Sequence, residues 1–181
     1  MIRRPRLPMV AVLDVIGDID FASSQKQLHQ LREAATQHRI GVLVLRINST
    51  GGSIAAAQQL CEAVEALRES GVYVLACCGD VAKSAALYVA ASADVVLAQA
   101  GTVTGNVGAI MRHTSLSSLG AQFGIEDVVV ASGAFKDPTR LASSPSLHEL
   151  EVMQSLVIGI HTQFCDWLVR RRGTTHDNLG I

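Results

Sequence analysis

The feature that most restricts how this chain can fold is an alternation. Short, predominantly apolar runs recur between stretches with helical spacing. The runs 9–16 (MVAVLDVI), 41–47 (GVLVLRI), 72–78 (VYVLACC), 94–99 (DVVLAQ) and 127–132 (DVVVAS) are rich in Val, Leu and Ile. Runs this apolar suit strands covered on both faces, as in a parallel sheet. Between them, residues 22–38 place Leu28, Leu31 and Ala35 on one helical face, and residues 54–69 do the same with Leu60, Val64 and Leu67. The second of these helices begins after Ser53 and stops before Gly71, residues that start and end helices for capping reasons. Residues 84–93 and 115–123 read as shorter helices, and 146–172 as a long one. No linker, low-complexity tract or internal repeat interrupts the pattern, so it predicts one α/β domain over residues 1–181.

Composition narrows the class. Of 181 residues, 49% are hydrophobic and only 17% charged, which excludes a disordered chain. A formal net charge of −1 argues against nucleic-acid binding through broad electrostatics. Low charge and 15 glycines fit a tightly packed protein that associates with copies of itself. The apolar stretch near the start is broken by Pro8 and followed by Asp14, Asp18 and Asp20. It is therefore too short for a secretory core of about 7–15 apolar residues or a spanning helix of about 20. Cys61, Cys77, Cys78 and Cys165 have neither metal-ligand nor disulfide-framework spacing, which reads as reduced thiols in a reducing compartment. A cytoplasmic protein without metal or cofactor is the expectation, with membrane association only through a segment outside this sequence.

Two strand-to-helix junctions carry residues fit for chemistry, at the sheet edge where α/β folds bind ligands. The first, Arg46-Ile47-Asn48-Ser49-Thr50-Gly51-Gly52-Ser53, holds paired glycines that can turn backbone N–H groups outward, as an oxyanion hole requires. Taken alone, such a pair more often forms an ordinary turn with a serine cap. The second, Cys78-Gly79-Asp80-Val81-Ala82-Lys83-Ser84-Ala85-Ala86, opens a helix of small residues with Ser84. That serine is either an N-cap or a nucleophile with the Ala85 N–H beside it, Ala85 and Ala86 leaving room for substrate.

A nucleophilic serine needs a base. Lys26 reads as solvated surface, and Lys83 points away from its neighbour Ser84, which leaves Lys136 in the loop Ser132-Gly133-Ala134-Phe135-Lys136-Asp137-Pro138. A lysine with an ordinary pKa of about 10.4 is neutral in only about one molecule in 2,500 at pH 7. It takes a proton efficiently only once desolvation lowers that value. His113 is the second candidate base. Asp80 reads as a turn former, Arg170-Arg171-Arg172 as cations complementing the end of their helix, and Phe164 and Trp167 as core or subunit contacts.

Four motifs in order strengthen this reading: N-S-T-G-G-S (48–53), G-D-V-A-K-S-A-A-L-Y-V-A-A-S-A-D (79–94), G-T-V-T-G-N-V-G (101–108) and S-G-A-F-K-D (132–137). Together they strongly resemble the signal peptide peptidase A family, serine peptidases of the ClpP/crotonase superfamily, over about residues 10–173. The resemblance implies a ClpP/crotonase-like superhelix of repeated β-β-α units. It implies Ser84 as nucleophile, Lys136 as general base, and the N–H groups of Gly52 and Ala85 as the oxyanion hole, with Gly51 and Asn106 supporting them. It further implies hydrophobic peptide or protein substrates such as remnant signal peptides, ring-like homo-oligomers whose neighbouring subunits help complete each site, and a family domain that continues past Ile181.

Some positions depart from the family pattern. Thr50 stands where proline is usual, Lys83 where a small residue is usual, Ala85-Ala86 where Gly-Gly is usual, and Asn106 where a serine is usual. A catalytically degenerate member acting as an oligomeric binding or assembly module is the alternative these raise. A crotonase-type acyl-CoA enzyme shares the superfold but would need an acidic residue at the oxyanion hole.

Overall fold

The structure, a computed structural model, describes residues 8–179 except 38, 127, 134, 137–140 and 142. It divides into two compact units, Met1–Val107 with Phe164–Ile181, and Gly108–Gln163.

The first unit is built on a parallel sheet. Its strands are β1 (Met9–Ile16), β2 (Ile40–Ser49), β3 (Tyr73–Lys83), β4 (Val95–Leu97) and β5 (Val103–Gly105). The order is β1-β2-β3-β4, with β5 pairing the far half of β3, and every pairing is parallel. The connections are α1 (Phe21–Thr36), α2 (Ile54–Glu69) and α3 (Ala85–Ala91). Each long helix begins as its sequence directs. Asp20 and Ser23 form a reciprocal capping box on α1, and the Ser53 side chain accepts the Ala56 N–H of α2.

The helices bury one face of the sheet. Leu13 and Val15 of β1, Leu43, Leu45 and Ile47 of β2, and Val74, Ala76 and Ala82 of β3 pack with Leu28, Leu31, Leu60, Val64 and Val89. The opposite face carries Val10, Val12 and Ile16, which stay well exposed. The expectation of burial on both faces is thus corrected, because α1 to α3 cover one side only. On the open face Arg46 reaches across from β2 to clasp Asp14 of β1 through two hydrogen bonds of 2.6 Å, which hold the carboxyl below its usual range.

Beneath α3, Phe164, Trp167 and Leu168 from the last turns of α5 (Leu147–Arg172) complete the core. Tyr88 stacks on Trp167 at 4.1 Å between ring centroids and meets Phe164 at 5.0 Å. The Arg171 and Arg172 guanidiniums donate to the Ser92 and Ala93 carbonyls. These arginines therefore cap the end of α3, where sequence alone suggested the end of their own helix.

The second unit holds α4 (Ser117–Gln122) and the first turns of α5. Ser146 and Glu149 cap α5 reciprocally, the Ser146 N–H donating to Glu149 Oε2 at 2.7 Å and the Glu149 N–H to Ser146 Oγ at 3.2 Å. The strand expected over 127–132 is not formed among its described residues. Val128 and Val130 are 81% and 96% exposed. A parallel strand needs a neighbour's ladder, and no described residue of 127–132 is paired in one. Asp127 lies outside the described residues.

Candidate active site

Ser84 occupies the turn between β3 and α3. Its backbone has φ 52° and ψ −125°, a region that residues with a side chain enter only under strain of about 1–3 kcal/mol. Hydrogen bonds on both sides impose this conformation. The Ser84 N–H donates to the Gly105 carbonyl at 2.9 Å, and the Ser84 carbonyl accepts the Tyr88 N–H at 3.0 Å. The side chain makes no cap hydrogen bond to α3. A capping serine would bond an amide of the first helical turn, so this arrangement answers the simpler of the two readings of Ser84. A sharp strand–serine–helix turn is also the geometry that projects a nucleophilic hydroxyl from a sheet edge.

The glycine pair meets this turn from β2. Gly51 has φ 106° and lies so close to the Ser84 turn that a Cβ on it would stand 2.9 Å from the Lys83 carbonyl oxygen and 3.0 Å from the Ala85 nitrogen. Gly52, at φ 141°, would drive a Cβ to 2.3 Å from the Ile19 carbonyl oxygen. Both positions demand glycine for close approach of backbone to backbone. The loop is pinned by three bonds: Gly51 N–H to Ser49 Oγ at 3.1 Å, Ile19 N–H to the Gly51 carbonyl at 2.9 Å, and Ser53 N–H to the Ile19 carbonyl at 2.7 Å. Among the described residues the Gly52 and Ala85 N–H groups have no acceptor.

The fold therefore gathers Gly51, Gly52, Ser84 and Ala85, with Asn106 adjoining through Gly105. Asn106 is exposed and also adopts a positive φ of 53°. Ala85 and Ala86 are fully buried. Their methyls belong to the core, which corrects the expectation that they open space for substrate. Lys83 is half-buried. Lys136 belongs to the second unit, where it is exposed on a turn with its N–H donating to the Gly133 carbonyl at 3.2 Å. Ala134 and residues 137–140 around it lie outside the described residues. His113 is also in the second unit. Its Nε2 lies 3.2 Å from the Ser143 carbonyl, so that nitrogen carries the proton.

Ile19 and Ser49 were missed at the sequence level. Ser49 stood inside a recognised motif, but nothing in the sequence marks Ile19, whose bridge to Gly52 is long-range. Behind the site, burial pushes the Cys61 thiol well above its ordinary pKa, and its S–H donates to the Tyr88 carbonyl at 3.5 Å. Cys61, Cys77, Cys78 and Cys165 all stand outside disulfides, with Cys61 and Cys165 buried. Among the described residues no group of three His, Cys, Asp or Glu is placed to hold a metal ion, and no helix is long and apolar enough to cross a membrane.

A parallel α/β sheet carrying a strained serine beside a glycine loop defines a ClpP/crotonase-like peptidase fold. Comparison with known families agrees: the model of peptidase family S49 matches residues 66–180 and that of Clp protease residues 5–122. The chain belongs to peptidase family S49. It is 27% identical over 155 residues to the Synechocystis sp. protein named "Putative protease slr0021", covering 86% of this chain and 55% of that protein. It is 26% identical over 148 residues to the Enterococcus faecium "Putative signal peptide peptidase SppA", covering 82% of this chain and 43% of that protein. It is 29% identical over 97 residues to "Protease 4" of Haemophilus influenzae, covering 54% and 16%. The chain spans about half the length of the first two of these relatives.

Proposed function

We propose that this protein is a serine endopeptidase acting through Ser84 and Lys136 on hydrophobic peptide segments, remnant signal peptides among them. The observation that carries the reading is the Ser84 turn: a strained serine, uncommitted to capping, beside two backbone N–H groups without acceptors among the described residues. The assignment of Lys136 rests on the family motif S-G-A-F-K-D.

In the proposed reaction, neutral Lys136 takes the proton from Ser84 Oγ as that oxygen attacks the scissile carbonyl. The tetrahedral oxyanion accepts hydrogen bonds from Gly52 and Ala85, donors already fixed by the loop and by α3. Lys136 returns the proton to the departing amine, leaving an ester on Ser84. Water then attacks the ester with Lys136 again as base, releasing the acid and restoring the hydroxyl. Donors of this kind are worth about 2.7–4 kcal/mol each in comparable sites.

Lys136 is exposed in the single chain. Desolvation by substrate or by a neighbouring copy in a homo-oligomer supplies what a lysine base needs. A fluorophosphonate probe followed by peptide mass spectrometry tests the nucleophile. The adduct is expected on Ser84 and absent from Ser84→Ala; an adduct elsewhere, or none on the assembled protein, overturns the assignment.

A further inference from the structure

We infer that Asn48 is a positioning residue that holds the nucleophile strand in register with the oxyanion loop; the inference rests on the assignment of Ser84 above. The two strands fall out of step just before the site. β2 advances from Ile47 to Ser49 while β3 advances from Cys78 to Ala82, so Gly79, Asp80 and Val81 bulge from the ladder. A bulge leaves backbone groups without ladder partners and bends its strand. The Asn48 side chain fills this gap. Its Oδ1 accepts the Val81 N–H at 3.1 Å, and its amide lies over Gly79, where a Cβ would stand 3.1 Å from Oδ1 and 3.2 Å from Cγ.

The other side of the bulge is held from β5. Thr102 Oγ1 donates to the Gly79 carbonyl at 2.8 Å, and Thr104 Oγ1 to the Ala82 carbonyl at 2.8 Å. The bulge is from the β2 side only: β3 pairs with β5 from Val81 opposite Val103 to Lys83 opposite Gly105 and delivers Ser84 to its turn. The residue after Asn48 does the matching work on the oxyanion side, since Ser49 Oγ takes the Gly51 N–H. Neighbours in a strand point to opposite faces. Asn48 and Ser49 therefore tie the two halves of the site to one short stretch of β2.

Asn48 is exposed and outside the core, so its loss leaves the hydrophobic packing intact. What it removes is the acceptor that sets where the strand re-enters the ladder. An offset of about 1 Å at a catalytic group can cost about a hundredfold in rate, so a partly relaxed bulge costs about tenfold.

The test compares wild type with Asn48→Ala and Asn48→Asp in labelling of Ser84 by a fluorophosphonate and in peptide hydrolysis. Asn48→Ala is expected to lower the labelling rate constant and kcat about tenfold with KM within about twofold. Asn48→Asp keeps an acceptor of the same shape and is expected to stay within about threefold of wild type. Amide exchange at Val81 is expected to quicken in Asn48→Ala and not in Asn48→Asp. Equal labelling of wild type and Asn48→Ala, or equal losses in both variants, overturns the inference while the peptidase reading stands. Wild type that is not labelled at Ser84 removes the peptidase reading itself, before any Asn48 variant is made.

Discussion

Gly51 and Ser84, thirty-three positions apart, touch: a methyl group on Gly51 would sit 2.9 Å from the Ser84 Cβ. This contact joins the loop after β2 to the turn after β3, and it explains why position 51 has no side chain. Gly51→Ala meets backbone on two sides and a positive φ at once. It is expected to destabilise the protein by about 2–4 kcal/mol and to lower labelling of Ser84 in the fraction that stays folded. Chemical denaturation and probe labelling check both; an unchanged midpoint would contradict the packing described.

Asp94, just before β4, ties α2 to β3 in the first unit. Arg68 of α2 donates to its carboxylate from two guanidinium nitrogens, and the Val74 N–H of β3 donates to Oδ2 at 2.8 Å. The Arg68 hydrogen bonds hold the Asp94 carboxyl below its ordinary pKa. A carboxyl lowered in the folded state contributes stability that is present above its unfolded value, about 3.9, and lost as pH falls through the folded one. Asp94→Asn should therefore cost about 1–3 kcal/mol near pH 7, with the gap to wild type closing in acid. Urea midpoints measured down the pH scale decide this, and a gap that widens in acid would contradict it.

Tyr88 anchors the short helix that follows Ser84, stacked on Trp167 and tilted against Phe164. Truncation to alanine removes a buried ring and an aromatic pair. The expected loss is about 3–5 kcal/mol, with Tyr88→Phe much closer to wild type because the ring contacts persist. Calorimetry of the two variants separates the ring from the hydroxyl.

Much of this architecture was legible in the residues. The limits of β1 follow from its apolar run, and those of α2 from Ser53 before it and Gly71 after it. The candidate nucleophile and glycine pair stood out because each ends a strand and starts a helix. What the sequence did not disclose depends on distance along the chain. Ile19 bridging Gly52, and Arg171 and Arg172 capping α3, join segments that no local pattern connects. The run at 127–132 misled for a related reason: valine content reports apolar character, whereas a strand also needs a ladder partner.

Val128 and Val130 in the second unit, and separately Val10, Val12 and Ile16 on the bare face of the sheet, are exposed apolar residues of the kind a homo-oligomer would cover. Lysine in place of both Val128 and Val130 is expected to lower self-association and to change monomer stability by less than about 0.5 kcal/mol. Sedimentation velocity over a concentration series reads the outcome. Unchanged association would place the subunit contact elsewhere.

The central claim is that Ser84 and Lys136 act as nucleophile and base, and hydrolysis of fluorogenic hydrophobic peptides tests it most directly. Wild type, Ser84→Ala and Lys136→Ala are compared from about pH 6 to 10. Both substitutions are expected to abolish turnover, a loss of at least about a thousandfold. The wild-type rate is expected to rise toward alkaline pH, as a reaction that needs an unprotonated base does. Turnover that survives in Ser84→Ala, or in Lys136→Ala, would contradict the account.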